Sequence, residues 1–209
     1  MQSNKPLLAT FLLLFGTHVY AKDWAFDVYL DKQKIGTHTF SLNDKQLLSQ
    51  ANFKVKVLFI NAYDYQHTAQ ETWQGDCLTK LTAHTVENKV VMDVAAERAG
   101  NLFEVRYNKT TQKLPECTMT FAYWNPNMLT QKKLLNPQNA EYLDTNIQLL
   151  GNETIQVKDQ PVAAAHYKVL GALNGKNKLN IDLWYDQSND WVALESTTPE
   201  GYKIKYKLK

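Results

Sequence analysis

The feature that most constrains this chain is a period-two alternation through residues 53–73. Phe53, Val55, Val57, Phe59, Asn61, Tyr63, Tyr65, His67, Ala69, Glu71 and Trp73 share one parity. Lys54, Lys56, Asp64, Gln66, Thr68, Gln70 and Thr72 occupy the other. Side chains alternate across a β-strand, so the segment reads as extended chain with one face turned to a core. A single strand over these residues would be about 70 Å long, well beyond the usual strand, so a break or sharp bend is expected near Asn61.

The same period recurs elsewhere. Trp24, Phe26, Val28 and Leu30 share a face, and Asp31-Lys32-Gln33-Lys34 reads as a turn into a strand over 35–42. Gln74-Gly75-Asp76 leads into a strand over 77–86, and Glu87-Asn88-Lys89 is a hairpin signal. Strands follow over 90–97, 102–107, 163–170, 179–185 and 191–196. Near the C-terminus Tyr202, Ile204, Tyr206 and Leu208 alternate with Lys203, Lys205, Lys207 and Lys209, which reads as a solvated or edge strand guarded by lysine. Residues 115–150 break the rhythm with Pro115, Pro126 and Pro137, and 127–135 fit two turns of helix after Pro126. The expectation is one all-β domain over 22–209, with up to about ten strands in a strongly curved antiparallel sheet or half-closed barrel. A short helical or loop insertion near 121–140 would serve as a lid.

The first 21 residues read differently. Lys5 precedes an apolar run from Leu7 to Phe15, and small residues lead to Ala21, the pattern of a secretory signal peptide cleaved after Ala21. The run falls short of the roughly 20 residues a membrane span requires. Export changes the meaning of Cys77 and Cys117, the only two cysteines. In an oxidising compartment they are expected to pair, closing a loop of about 40 residues for roughly 3–4 kcal/mol.

A net charge of +2 gives no electrostatic case for nucleic acid, and at most a peripheral membrane contact is expected of the lysine stripe. The 44% hydrophobic content excludes a disordered chain. His38, His67, His84 and His166 fit no metal-ligand spacing, and neither a nucleophile elbow nor a phosphate-cradling glycine loop occurs, so no metal and no cofactor are expected. His67 shares its face with Tyr63, Tyr65, Glu71 and Trp73. On one extended strand His67 and Glu71 lie about 13 Å apart, so catalytic use of either needs partners from neighbouring strands.

Several strings of residues carry a resemblance. They include Leu58-Phe59-Ile60-Asn61-Ala62-Tyr63-Asp64-Tyr65-Gln66-His67, Glu71-Thr72-Trp73-Gln74-Gly75-Asp76-Cys77-Leu78 and Phe121-Ala122-Tyr123-Trp124-Asn125-Pro126. Ile181-Asp182-Leu183-Trp184-Tyr185 and Trp191-Val192-Ala193-Leu194-Glu195-Ser196 complete the pattern. Together they resemble a domain-of-unknown-function family of exported β-proteins from Gram-negative bacteria. The strand-turn-strand at 181–196 is more distantly similar to periplasmic β half-barrels of the lipoprotein-carrier type. The resemblance implies a periplasmic location and brings no catalytic assignment.

The leading functional expectation is non-enzymatic: binding or shuttling of an apolar or amphipathic envelope molecule in a concave aromatic pocket. Phe59, Tyr63, Tyr65, His67, Trp73 and Trp124 are its expected lining. A hydrolase or isomerase using His67 with Glu71 or a tyrosine is the alternative, and requires a carboxylate from another strand within about 3 Å of the imidazole. The third reading is a structural or interaction protein of the envelope without a ligand. A continuous cavity of several hundred Å³ distinguishes the first reading from the third.

Overall fold

The computed structural model describes residues 21–57, 60–198 and 200–209. Residues 1–20 of the signal peptide expected over 1–21, and Phe59, lie outside the described residues.

The N-terminal half is a meander. Its strands are β1 (Ala21–Leu30), β2 (Gln33–Asn43), β3 (Gln46–Val57), β4 (Ile60–Gln74), β5 (Cys77–Glu87), β6 (Val90–Ala99), β7 (Leu102–Tyr107) and β8 (Thr110–Pro115). The C-terminal half is a second meander of β9 (Lys133–Leu135), β10 (Tyr142–Val157), β11 (Gln160–Leu173), β12 (Lys176–Asp186), β13 (Trp191–Thr197) and β14 (Lys203–Leu208). All fourteen join one antiparallel sheet in the order β8-β7-β6-β5-β4-β3-β2-β1-β14-β13-β12-β11-β10-β9. The architecture is the all-β curved sheet expected, with more strands than the roughly ten read from the sequence.

The 53–73 alternation is two strands rather than one bent one. Antiparallel pairing of Phe53 with Tyr65 and of Val57 with Ile60 shows that the chain reverses before Asn61. Parity survives the reversal because the paired residues face the same side, so Phe53, Tyr65, His67, Ala69, Glu71 and Trp73 are all buried. At the next-but-one hairpin Asn88 and Lys89 both take positive φ (48° and 72°), the backbone of a two-residue turn whose twist matches its strands.

The sheet rolls up without closing. Phe103 and Leu114 near one end, Leu134, Leu135 and Leu143 near the other, and Phe26 and Trp191 at the centre belong to one buried cluster. Such a shared core requires the concave face to wrap inward. What it wraps around is the segment between β8 and β10. Thr118, Met119, Thr120, Phe121, Ala122 and Met128 are buried, so the expected lid is a plug inside the roll. Leu78 N–H donates to Thr118 O at 3.0 Å, and Leu135 N–H donates to Met119 O at 2.8 Å, which satisfies backbone groups the plug buries. The Cys77–Cys117 disulfide pins its start to β5.

Three further expectations are corrected. The segment expected as two helical turns at 127–135 is a 3-10 helix at Pro126–Thr130, capped by the Asn125 side chain, followed by β9. Asn125 and Asn127 both donate to Asp76, which fastens this turn to the β4–β5 connection. Residues 142–150, placed within the irregular region, belong to the long strand β10, which pairs with β9 only over Tyr142–Asp144. The lysine-bearing β14 is not an edge strand: it lies mid-sheet between β1 and β13. Its lysines face outward because the apolar parity, Tyr206 and Leu208, packs on the core. Lys209 pairs with Asp27 at 3.1 Å, Lys203 and Lys205 share Glu195 at 2.9 and 3.1 Å, and Lys207 lies 5.0 Å over the Tyr29 ring.

Candidate functional site

On the concave side of the roll a pocket of about 160 Å³ lies between the plug and strands β2, β3, β4 and β14. Its walls are aromatic: Phe40, Tyr65, Phe121, Tyr123, Trp124 and Tyr206. Its polar groups are His38, Ser49, His67, Glu71, Asn136 and Gln138. Strand alternation explains the set. His38 and Phe40 are two apart on β2, Leu47 and Ser49 on β3, and Tyr65, His67, Ala69 and Glu71 step along β4, so each strand offers its inward parity.

His67 is buried, and its Nδ1 lies 2.8 Å from Thr85 Oγ1 on β5. The Thr85 hydroxyl donates onward to the Gln138 carbonyl at 3.5 Å, so it accepts from His67 Nδ1–H and leaves Nε2 as an acceptor. Burial pushes the His67 pKa down to about 4, with a smaller push from His84. His38 bridges Ser49 Oγ at 2.8 Å and the Tyr206 hydroxyl at 3.2 Å. Burial holds its imidazole well below the ordinary histidine range, and His67 adds to the effect. Both rings are therefore neutral near pH 7.

Glu71 is the one carboxylate of the pocket. Its Oε2 accepts from Trp73 Nε1 at 3.0 Å, and burial raises its pKa to about 7 against the opposing pull of hydrogen bonding from Thr120 and Trp73. A carboxylic acid poised near neutrality inside an aromatic enclosure is the most perturbed acid among the described residues.

The structure brings Tyr65, His67 and Trp124 to this pocket. Trp73 lies behind it, packed edge-to-face on Trp124 at 5.4 Å and donating to Glu71. Tyr63 belongs to a neighbouring cluster with Phe53 and Val28, where it stacks on Tyr65 at 6.2 Å and donates to Glu87 at 3.0 Å. Sequence reading missed His38, Ser49 and Tyr206, which come from three other strands; pairing of β2 with β3 and entry of β14 mid-sheet are what assemble them. The carboxylate required for a catalytic His67 is absent, since its partner is the Thr85 hydroxyl.

A larger groove of about 670 Å³ lies on the outer face, between the tip of the β10–β11 hairpin and β12, β13, β14 and β1. Val157, Ala164 and Val192 pack beneath that tip with Trp184 and Leu208. Among the described residues no group of three His, Cys, Asp or Glu is placed to hold a metal ion. No helix among them is long and apolar enough to cross a membrane, and the disulfide is compatible with an exported protein.

Fold and pocket together define a barrel-like β-protein with a buried aromatic cluster. The chain belongs to the family described as Domain of unknown function (DUF6134), whose model matches residues 26–209. None of the curated proteins matches the sequence. Among solved structures it is similar to the crystal structure of a beta-barrel-like protein of domain of unknown function DUF1849 from Brucella abortus. The TM-score is 0.65 at 11% identity, covering 91% of this chain and 96% of that one, a likeness of fold alone.

Proposed function

We propose that this is an exported periplasmic binding protein that seats a small amphipathic molecule, or one end of a longer one, in the pocket between plug and sheet. The observation that carries the reading is the 160 Å³ enclosure with aromatic walls and a few convergent polar groups, the general make-up of a ligand site. Its size sets the scale of the occupant. A dry cavity of about 150 Å³ accommodates a benzene-sized molecule, whereas drug-sized ligands occupy roughly 300–1,000 Å³. A whole lipid would require the plug to leave; a ring or a headgroup would not. Export is supported by the apolar segment after Lys5 and by the Cys77–Cys117 bond.

Native mass spectrometry of protein purified from periplasm, before and after organic extraction, tests this. A co-purifying mass that extraction removes supports it. A protein that carries no mass, and that takes up neither ring-sized nor headgroup-sized probes, is a structural or interaction protein instead.

A further inference from the structure

The pocket's chemistry is one-sided. Among the described residues no lysine or arginine lines it, its two histidines are held neutral by burial, and its only carboxylic acid is Glu71. Around that acid stand the rings of Phe40, Tyr65, Tyr123, Trp124 and Tyr206. Aromatic faces carry negative quadrupole density, so a wall of rings attracts a cation, and desolvation strengthens the attraction. A buried carboxylate without a positive partner is costly to ionise, and the donors that favour its charged form, Thr120 and the Trp73 indole, are both neutral. A cation placed between the rings and Glu71 supplies the missing partner. An anion would find hydrogen-bond donors there but no cationic side chain among the described lining residues, and would face the Glu71 carboxyl.

Resting on the reading of the pocket as a ligand site, we propose that its ligand presents a small organic cation, of the quaternary ammonium or alkylammonium class, to the aromatic wall with Glu71 as counter-ion. Binding then costs the pocket a proton near neutral pH, because the carboxyl must ionise. The groups facing Glu71 do not disturb this. Leu47 on β3 and Leu81 on β5 are its paired neighbours, and His67 on β4, His38 on β2, Tyr123 of the plug and Tyr206 on β14 all remain uncharged.

Calorimetric titration of the full protein with choline and with its uncharged isostere 3,3-dimethylbutan-1-ol decides the matter. The expected result is at least tenfold tighter binding of choline at pH 8, weakening about tenfold at pH 6 as a carboxyl titrating near 7 is protonated. Glu71→Gln is expected to abolish the preference while keeping the isostere's affinity and the wild-type circular dichroism. Equal or tighter binding of the isostere overturns the cation and leaves the binding-protein reading standing. Binding of neither overturns both. A choline preference that survives in Glu71→Gln also overturns the proposal. Comparison of tetramethylammonium with dodecyltrimethylammonium separates the sources: affinity gained from the tail points to an amphipathic molecule, equal affinity to a free small cation.

Discussion

Replacing Glu71 with glutamine changes stability by an amount that depends on pH in a calculable way. In the unfolded chain this carboxyl titrates at its ordinary value of 4.5, and in the fold near 7. Below pH 4.5 both states are protonated and burial carries no ionic cost. Between 4.5 and 7 the folded state keeps a proton that the unfolded state has lost, so the wild type loses stability as pH rises. Above 7 the full difference is in force, about 3 kcal/mol. Glutamine preserves the shape and an oxygen that can accept from Trp73, but has nothing to ionise. The histidines act in the opposite sense. Their folded pKa values are depressed, His67 to about 4, so they destabilise the fold as pH falls from 6.5 toward 4. Both proteins share this effect, and it cancels in the difference. Urea unfolding of wild type and Glu71→Gln from pH 4 to 8 should show a stability gap that moves in favour of the variant by about 3 kcal/mol, with its midpoint between 4.5 and 7. A gap that stays flat across this range would refute the assignment of Glu71 as a buried, unpaired acid.

Two other perturbations probe the scaffold. Replacing both cysteines with serine opens the 40-residue loop of β5–β8 and frees the start of the plug, and chain-entropy reasoning gives a loss of about 4 kcal/mol; chemical denaturation with and without a thiol reductant measures it, and the reductant should affect only the wild type. Gly36→Ala puts a Cβ against the carbonyl of Asn52 on the facing strand β3, beside the point where β2 bulges at Ile35 opposite Val28 and Tyr29 of β1, and a loss of about 1–3 kcal/mol in urea unfolding is expected.

Local alternation was enough to read most strands, because an inward residue at every second position is a property of the chain itself. It failed where burial is shallow. In β10 most side chains are exposed and the register slips between Leu149 and Gly151, so Ile147, Leu149 and Leu150 never form a clean stripe. In β8 only Leu114 is buried, and the Thr110–Lys113 run reads as loop. The lysines of β14 suggested an edge by their charge, yet charge on the outward face of a sheet is equally suited to its middle when Asp27 and Glu195 stand on the flanking strands. For the pocket, the inward parity of β4 brought Tyr65, His67 and Glu71 within reach of sequence reasoning. His38, Ser49 and Tyr206 join them through pairings between strands, and Tyr206 is separated from His38 by 168 residues, a distance over which sequence periodicity carries no information.

The place of β14 between β1 and β13 has a consequence for how the molecule comes together. Each meander can zip up by local hairpins, but in the ladder of strand pairing the two halves join only through this six-residue strand, among the described residues. Asp31 accepts a hydrogen bond from Lys203, 172 residues away, at the seam. Closing so long a loop is entropically slow, and until it happens β1 and β14 each present an unpaired edge able to recruit another chain. β14 thus acts as a keystone: the step that unites the sheet is also the one that removes its two most hazardous edges, and it must come late.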